Sequence, residues 1–190
     1  QTQNYIFSIV TNTNTDKTYS TIQDAINDPL TLNNHTIMVK SGTYSGNFVI
    51  NKKLTIKPVT GCNVILQALN PSEPVIKINL SGNGTTIHGF TIQGATNSSG
   101  VYVTGSLNCN LVGNNFTSNK IGVFISTSNN TILSENTFIN NTYAGILLEN
   151  SVKNLIYNNT ALNNQFSIRF SNSNQNLIQG NTLRNNATGY

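Results

Sequence analysis

Charge is what this sequence has least of. Asp, Glu, Lys and Arg make up 8% of its 190 residues, 6 acids against 10 bases, which is too few for a surface held by ion-pair networks. The bases are also scattered: Lys52-Lys53 is the only adjacent pair, and a net charge of +4 without a dense basic stripe argues against nucleic acid as a partner. Tryptophan is absent, methionine occurs once, and histidine and cysteine occur twice each. One methionine, Met38, and two histidines, His35 and His88, are too few to supply a metal centre built from grouped soft ligands. No apolar run reaches the roughly 18 residues that a membrane-crossing helix needs. Any membrane attachment is therefore expected through segments outside this chain.

The residue that fills the space is asparagine, 35 of 190. Polar, low-complexity chains are often disordered, because they cannot bury enough apolar surface to offset chain entropy. A regular apolar ladder argues otherwise here. From Asn108 the sequence repeats every 22 or 23 residues: NLVGNNFTSNKIGVFIS, TILSENTFINNTYAGILLE, NLIYNNTALNNQFSIRFS and NLIQGNTLRNNATGY. Val101, Val123, Ile146 and Ile168 recur at this period, as do Asn136, Asn159 and Asn181, and Asn141, Asn164 and Asn186. Fixed-period self-similarity predicts stacked units. Each unit carries an alternating triplet, Val101-Tyr102-Val103, Val123-Phe124-Ile125, Ile146-Leu147-Leu148 or Ile168-Arg169-Phe170, and period 2 is the signature of a strand. A second apolar pair (Leu111-Val112, Ile132-Leu133, Leu155-Ile156, Leu177-Ile178) and a third apolar site (Phe116, Phe138, Ala161, Leu183) follow after gaps too short for a helix. Three short strands per turn predict an all-β parallel β-helix of about seven coils, a rod roughly 34 Å long at the usual strand spacing. Asn136, Asn159 and Asn181, extended by Asn114, are expected to form a side-chain amide ladder at a corner, with asparagine tolerating the left-handed backbone there.

The N-terminal part reads differently. A strand-like run, Tyr5 to Val10, precedes the loop TNTNTDKTY. A short helix is then predicted from Ser20, with Ser20 and Gln23 as capping box, Ile22, Ala25 and Ile26 on one face and Pro29 closing it. An amphipathic helix laid over the first coil would cover the apolar interior and unpaired edges of a stack, so residues 1–35 are assigned to a cap and residues 36–190 to the β-helix. Strands are expected at Ile37 to Val39, Phe48 to Ile50, Leu54 to Ile56, Val64 to Leu66, Val75 to Ile78 and Phe90 to Ile92. Asn185 to Tyr190 aligns with the residues that lead into the next strand, so a longer parent protein with further coils is expected. Cys62 and Cys109 are 47 residues apart, about two coils or roughly 9.6 Å along the stack. A disulfide needs Cα atoms within about 7 Å, so two unpaired thiols are expected, and the cysteines do not report the redox compartment.

The opening YSTIQDAINDPLTLNNHTIMVKSGTYSGNFVINKKLTI resembles the start of right-handed parallel β-helix proteins of the pectate-lyase-like superfamily. The later SNNTILSENTFINNTYAGILLENS resembles the Asn-rich repeats of the copper-binding periplasmic family and, most closely, of archaeal adhesin-like surface proteins. The resemblance implies a right-handed coil and an extracellular, cell-surface location. It leaves function open, since that superfamily spans lyases, hydrolases, epimerases, adhesins and passive stalks.

Function must come from a site. The acids are Asp16, Asp24, Asp28, Glu73, Glu135 and Glu149. Only the last three belong to the coils, and no facing pair of the kind that two-carboxylate glycoside hydrolysis requires is expected among them. Glu149 with Arg169 one coil later reads as a surface ion pair. No catalytic residue, metal or cofactor is therefore assigned. Nine Asn-x-Ser/Thr patterns occur, against roughly seven or eight expected by chance from this composition, so the sequence does not indicate glycosylation. What stands out is the middle residue of each triplet. Tyr102, Phe124, Leu147 and Arg169 should form one outward column, where Ser, Thr or Asn would serve the fold equally well; aromatic and Arg side chains are the types enriched in binding hot spots, and an aromatic face can stack on a sugar. The reading is a monomeric, non-catalytic adhesin-like surface module, acting as a stalk or as a glycan- or protein-binding surface. The alternative is a carbohydrate-active β-helix with its catalytic residues elsewhere in a longer protein. Because a cavity in a continuous stack relaxes poorly, Leu148→Ala should lower stability by about 2–5 kcal/mol in urea unfolding.

Overall fold

The computed structural model describes residues 10–187; the expected run from Tyr5 falls, except for Val10, outside them. Each 22- or 23-residue unit gives one strand to each of three parallel sheets, because its three apolar sites are separated by corners only a few residues long. Sheet A has nine strands, sheet B seven and sheet C six. Two of the nine belong to the N-terminal hairpin, leaving seven coils.

Sheet C carries the alternating triplets in six-residue strands, Ser99–Thr104, Ile121–Ser126, Ala144–Glu149 and Phe166–Ser171. Its register pairs Val101 with Val123, Val123 with Ile146, and Ile146 with Ile168. Those four, and Val103, Ile125 and Leu148 beside them, are at most 1% exposed. Phe170 completes the second ladder but is half-buried, as are Ile178 and Leu183, which follow it at the end of the described residues. In sheet B, Phe116 stacks on Phe138 with ring centroids 4.9 Å apart and planes within 6°, followed in register by Ala161 and Leu183. Sheet A corrects one pairing of the repeats. Leu111 faces Leu133, then Ile156 and Ile178, whereas Val112 faces Ser134; the register preserves the inward position rather than the first apolar residue of each pair.

Three successive strands of sheet C admit no side chain at one position. A Cβ on Gly122 would lie 2.5 Å from the Gly145 carbonyl oxygen and 2.5 Å from the Phe138 ring. Gly100 and Gly145 meet the same obstacle. One coil later Ser167 takes the place, where Ala161 succeeds the phenylalanines.

The corners are held by side chains. Asn136 Oδ1 accepts from Asn114 N at 2.9 Å and from Asn114 Nδ2 at 3.2 Å, while Asn136 Nδ2 donates to Leu111 O at 2.8 Å and to Asn159 Oδ1 at 3.0 Å. Asn159 and Asn181 continue the ladder. Two further amide ladders run parallel, Asn119-Asn141-Asn164-Asn186 and Asn154-Asn176, together with a hydroxyl ladder in which Ser128 N donates to Ser151 Oγ and Ser151 N to Ser173 Oγ. The ladder asparagines are not the residues with left-handed backbone, as the sequence reading supposed. That conformation falls one residue earlier, at Gly113, Glu135, Asn158 and Gly180 on one corner and at Ser118, Asn140, Asn163 and Asn185 on another. Turning the chain and bonding across coils are thus divided between neighbours.

At the N-terminal end the TNTNTDKTY segment is a hairpin rather than a loop. β1 (Val10–Asn12) pairs antiparallel with β2 (Lys17–Tyr19) and with β3 (Thr36–Val39), the first coil strand of sheet A. Helix α1 (Ile22–Asn27) follows, with Ile22, Ala25 and Ile26 buried. Its N-cap is Thr21, whose hydroxyl accepts from Asp24 N, not Ser20 with Gln23. Gln23 is committed elsewhere: its amide accepts from Val49 N at 2.9 Å and donates to Val49 O at 3.1 Å, satisfying both backbone groups on the open edge of sheet C. Two coil strands lie outside those expected from the residue pattern, Gly42–Ser45 on the edge of sheet B and Thr86–His88 in sheet A.

Both cysteines are free, Cys62 half-buried and Cys109 buried. Burial pushes the Cys109 thiol above its ordinary range, which keeps it protonated and unreactive. In the native chain iodoacetamide should therefore modify Cys62 and leave Cys109 until the chain unfolds. Asn136→Ala would strand Asn114 N and one hydrogen of Asn114 Nδ2 in the interior and remove a donor from Leu111 O, at roughly 1–3 kcal/mol for each unsatisfied group. A loss of about 2–5 kcal/mol in urea unfolding is expected, and Asn136→Asp should be no better, because a carboxylate cannot donate to Leu111 O or Asn159 Oδ1.

Candidate functional site

The outward positions of sheet C are in register over all six strands. Val49 pairs with Lys77, Lys77 with Tyr102, Tyr102 with Phe124, Phe124 with Leu147 and Leu147 with Arg169. The four residues singled out from the sequence therefore stand one above another, and Lys77 and Val49 extend the column toward the cap. Tyr102, Phe124, Leu147 and Arg169 are each half-buried, Val49 and Lys77 exposed.

The rings of Tyr102 and Phe124 are stacked, centroids 4.9 Å apart and planes 18° apart. That separation is about one coil rise, so the ring faces look along the stack and their edges look outward. Lys77 precedes Tyr102 and Leu147 follows Phe124 in the column, and one face of each ring is taken up by the other ring. Arg169 does not pair with Glu149, whose register partners are Ser126 and Ser171. Its guanidinium sits 4.7 Å from the centroid of Phe166 and 5.3 Å from that of Tyr143, and those two rings meet edge to face at 5.4 Å. Tyr143 and Phe166 thus widen the column into a patch at its far end. The sequence reading missed them because Tyr143 lies at the corner before its strand and Phe166 opens the next strand of sheet C, both outside the triplets. Among the described residues the one ion pair is Lys17 with Asp28 on the cap, which raises the lysine and lowers the carboxyl relative to their ordinary values, chiefly through their direct hydrogen bond.

Donors for a metal do not assemble. His35 Nδ1 accepts from Asn12 Nδ2 and Leu32 N, while His88 Nδ1 faces Val112 O at 3.1 Å and donates to it. Cys62 and His88 border one cleft, but among the described residues no three His, Cys, Asp or Glu side chains gather. None of the described helices is long and apolar enough to cross a membrane.

Residues 30–190 match the family described as periplasmic copper-binding protein (NosD). A curated relative, a cell surface glycoprotein of Methanothermus fervidus, is 36% identical over 105 residues, 55% of this chain and 17% of the relative, so the matched stretch spans a minor part of that protein. No solved structure matches. The copper of the family description does not fit the described residues, because copper sites draw on several soft donors held together and none are grouped here. The chain is an extracellular or cell-surface module. Its three parallel sheets, its coil-to-coil amide ladders and the match over residues 30–190 establish that it belongs to the NosD family of β-helix proteins.

Proposed function

We propose that this chain is a non-catalytic surface module that holds a rigid stack away from the cell and docks a partner protein on the outward face of sheet C. The observation that supports this most is the column Tyr102-Phe124-Leu147-Arg169, in register and half-buried rather than covered by the chain's own loops. Residues of these types on a flat face favour protein contact. A protein suits the patch better than a glycan, since the ring faces of Tyr102 and Phe124 are turned toward each other. The non-catalytic reading is supported by the placement of the coil acids: Glu135 occupies a left-handed corner, Glu149 ends a sheet C strand, and neither joins a cluster of acids among the described residues.

The double variant Tyr102→Ser with Phe124→Ser tests the proposal. It should keep the β-helix circular dichroism and lose only about 1–2 kcal/mol of stability from the broken ring pair. Adhesion to partner-bearing cells should fall about thirtyfold or more if these are hot-spot residues. Protease treatment of the target cells should abolish adhesion and glycosidase treatment should spare it; the reverse pattern would assign a glycan instead. Unchanged adhesion by the double variant would remove the face from consideration.

A further inference from the structure

Nine asparagines carry the Asn-x-Ser/Thr pattern, and the fold divides them into two groups. Asn79, Asn83, Asn115, Asn129 and Asn186 are all half-buried, and four of them hold the fold through side-chain hydrogen bonds. Asn79 Oδ1 accepts from Ser81 N, Asn83 Oδ1 from Leu107 N and Asn129 Oδ1 from Val152 N. Asn186 closes an amide ladder, its Nδ2 donating to Ala161 O and Arg184 O, while Asn115 is set apart by burial alone, its Oδ1 enclosed without a hydrogen-bond partner. Asn34, Asn97, Asn140 and Asn158 are exposed. Three of these, Asn34, Asn140 and Asn158, have left-handed backbone with φ of 69°, 55° and 55° and stand at the tips of turns. Asn97 makes one long contact, Nδ2 to Ser72 Oγ at 3.5 Å.

We propose that Asn34, Asn97, Asn140 and Asn158 are N-glycan acceptors, and that the other five Asn-x-Ser/Thr positions are not. The motif supplies the hydroxyl two residues on that the acceptor pattern requires, and the extracellular location places the chain where such modification occurs. The donor is a lipid-phosphate-linked oligosaccharide. In the transfer the asparagine Nδ2 bonds to the anomeric carbon, the bond from that carbon to the lipid phosphate oxygen breaks, the amide proton passes to a base on the transferase, and the lipid phosphate leaves. A glycan at an exposed turn tip displaces no bond of the fold. At Asn186 it would replace an amide hydrogen that joins two coils, and at Asn83 or Asn129 it would crowd a half-buried corner.

Glycopeptide mass spectrometry on the chain isolated from the envelope of the cells that make it tests the assignment. Glycan mass is expected on peptides containing Asn34, Asn97, Asn140 and Asn158. Thr142→Val and Thr160→Val keep Asn140 and Asn158 in place but remove the hydroxyl each pattern needs. Each should lose the mass of one glycan while the thermal midpoint of the deglycosylated chain stays within about 2 °C of the parent, as for a surface change of a few tenths of a kcal/mol. Unmodified asparagine at all four positions, or glycan on Asn79, Asn83, Asn115, Asn129 or Asn186, would overturn the proposal.

Discussion

Amide hydrogen bonds passed from each coil to the next are the interaction on which this structure depends. A β-helix turns its backbone every few residues, and at each corner N–H and C=O groups leave the sheet ladders while facing the interior, where an unpaired polar group is costly. An asparagine side chain carries two donors and an acceptor on a short stem. It can therefore take a backbone N–H and an amide from one coil and return both of its own hydrogens, as Asn136 does between Asn114, Leu111 and Asn159. Aspartate lacks the donors and serine has only one. The composition follows from this requirement. Identical positions stack at about 4.8 Å, so a charged residue repeated in every coil would face its own charge, whereas an amide repeated in every coil meets its complement.

The same repetition couples the interior positions to one another. Glycine at 100, 122 and 145 lets the coil backbone close onto the stacked Phe116 and Phe138 rings. Where the ring column gives way to Ala161, glycine gives way to Ser167, so a change of volume in sheet B is met by one in sheet C. A stack that conserves volume coil by coil keeps its strands straight and its outward positions aligned. The column from Val49 to Arg169 is a product of that alignment.

A stack of this kind is exposed at its ends. At the N-terminal end the hairpin of β1 and β2 continues sheet A antiparallel, the apolar side of α1 covers the first coil, and the Gln23 amide acts as a one-residue strand against Val49. Three unlike devices thus cover the apolar interior of the first coil and protect the backbone edges of sheets A and C from uncontrolled pairing. The outward face of sheet C remains free to present Tyr102, Phe124, Leu147 and Arg169, with Tyr143 and Phe166 at its end.

The sequence by itself determined the coil length, the inward ladders of sheet C, the first amide ladder and the four-residue outward column, because each is a periodic property and period survives in one dimension. Several features needed the tertiary structure. The left-handed corner positions lie one residue before the ladder asparagines, a difference that composition cannot express when asparagine fills both places. The role of Gln23 depends on Val49, which is distant in sequence, and the true cap at Thr21 was hidden by an equally plausible Ser20. Tyr143 approaches Arg169 only from the preceding coil, and Phe166 from the start of the same strand. The direction of the aromatic rings was settled by packing alone: stacking at one coil spacing turns the faces of Tyr102 and Phe124 toward each other, so the sequence named the column while the fold decided which part of each side chain a partner would meet.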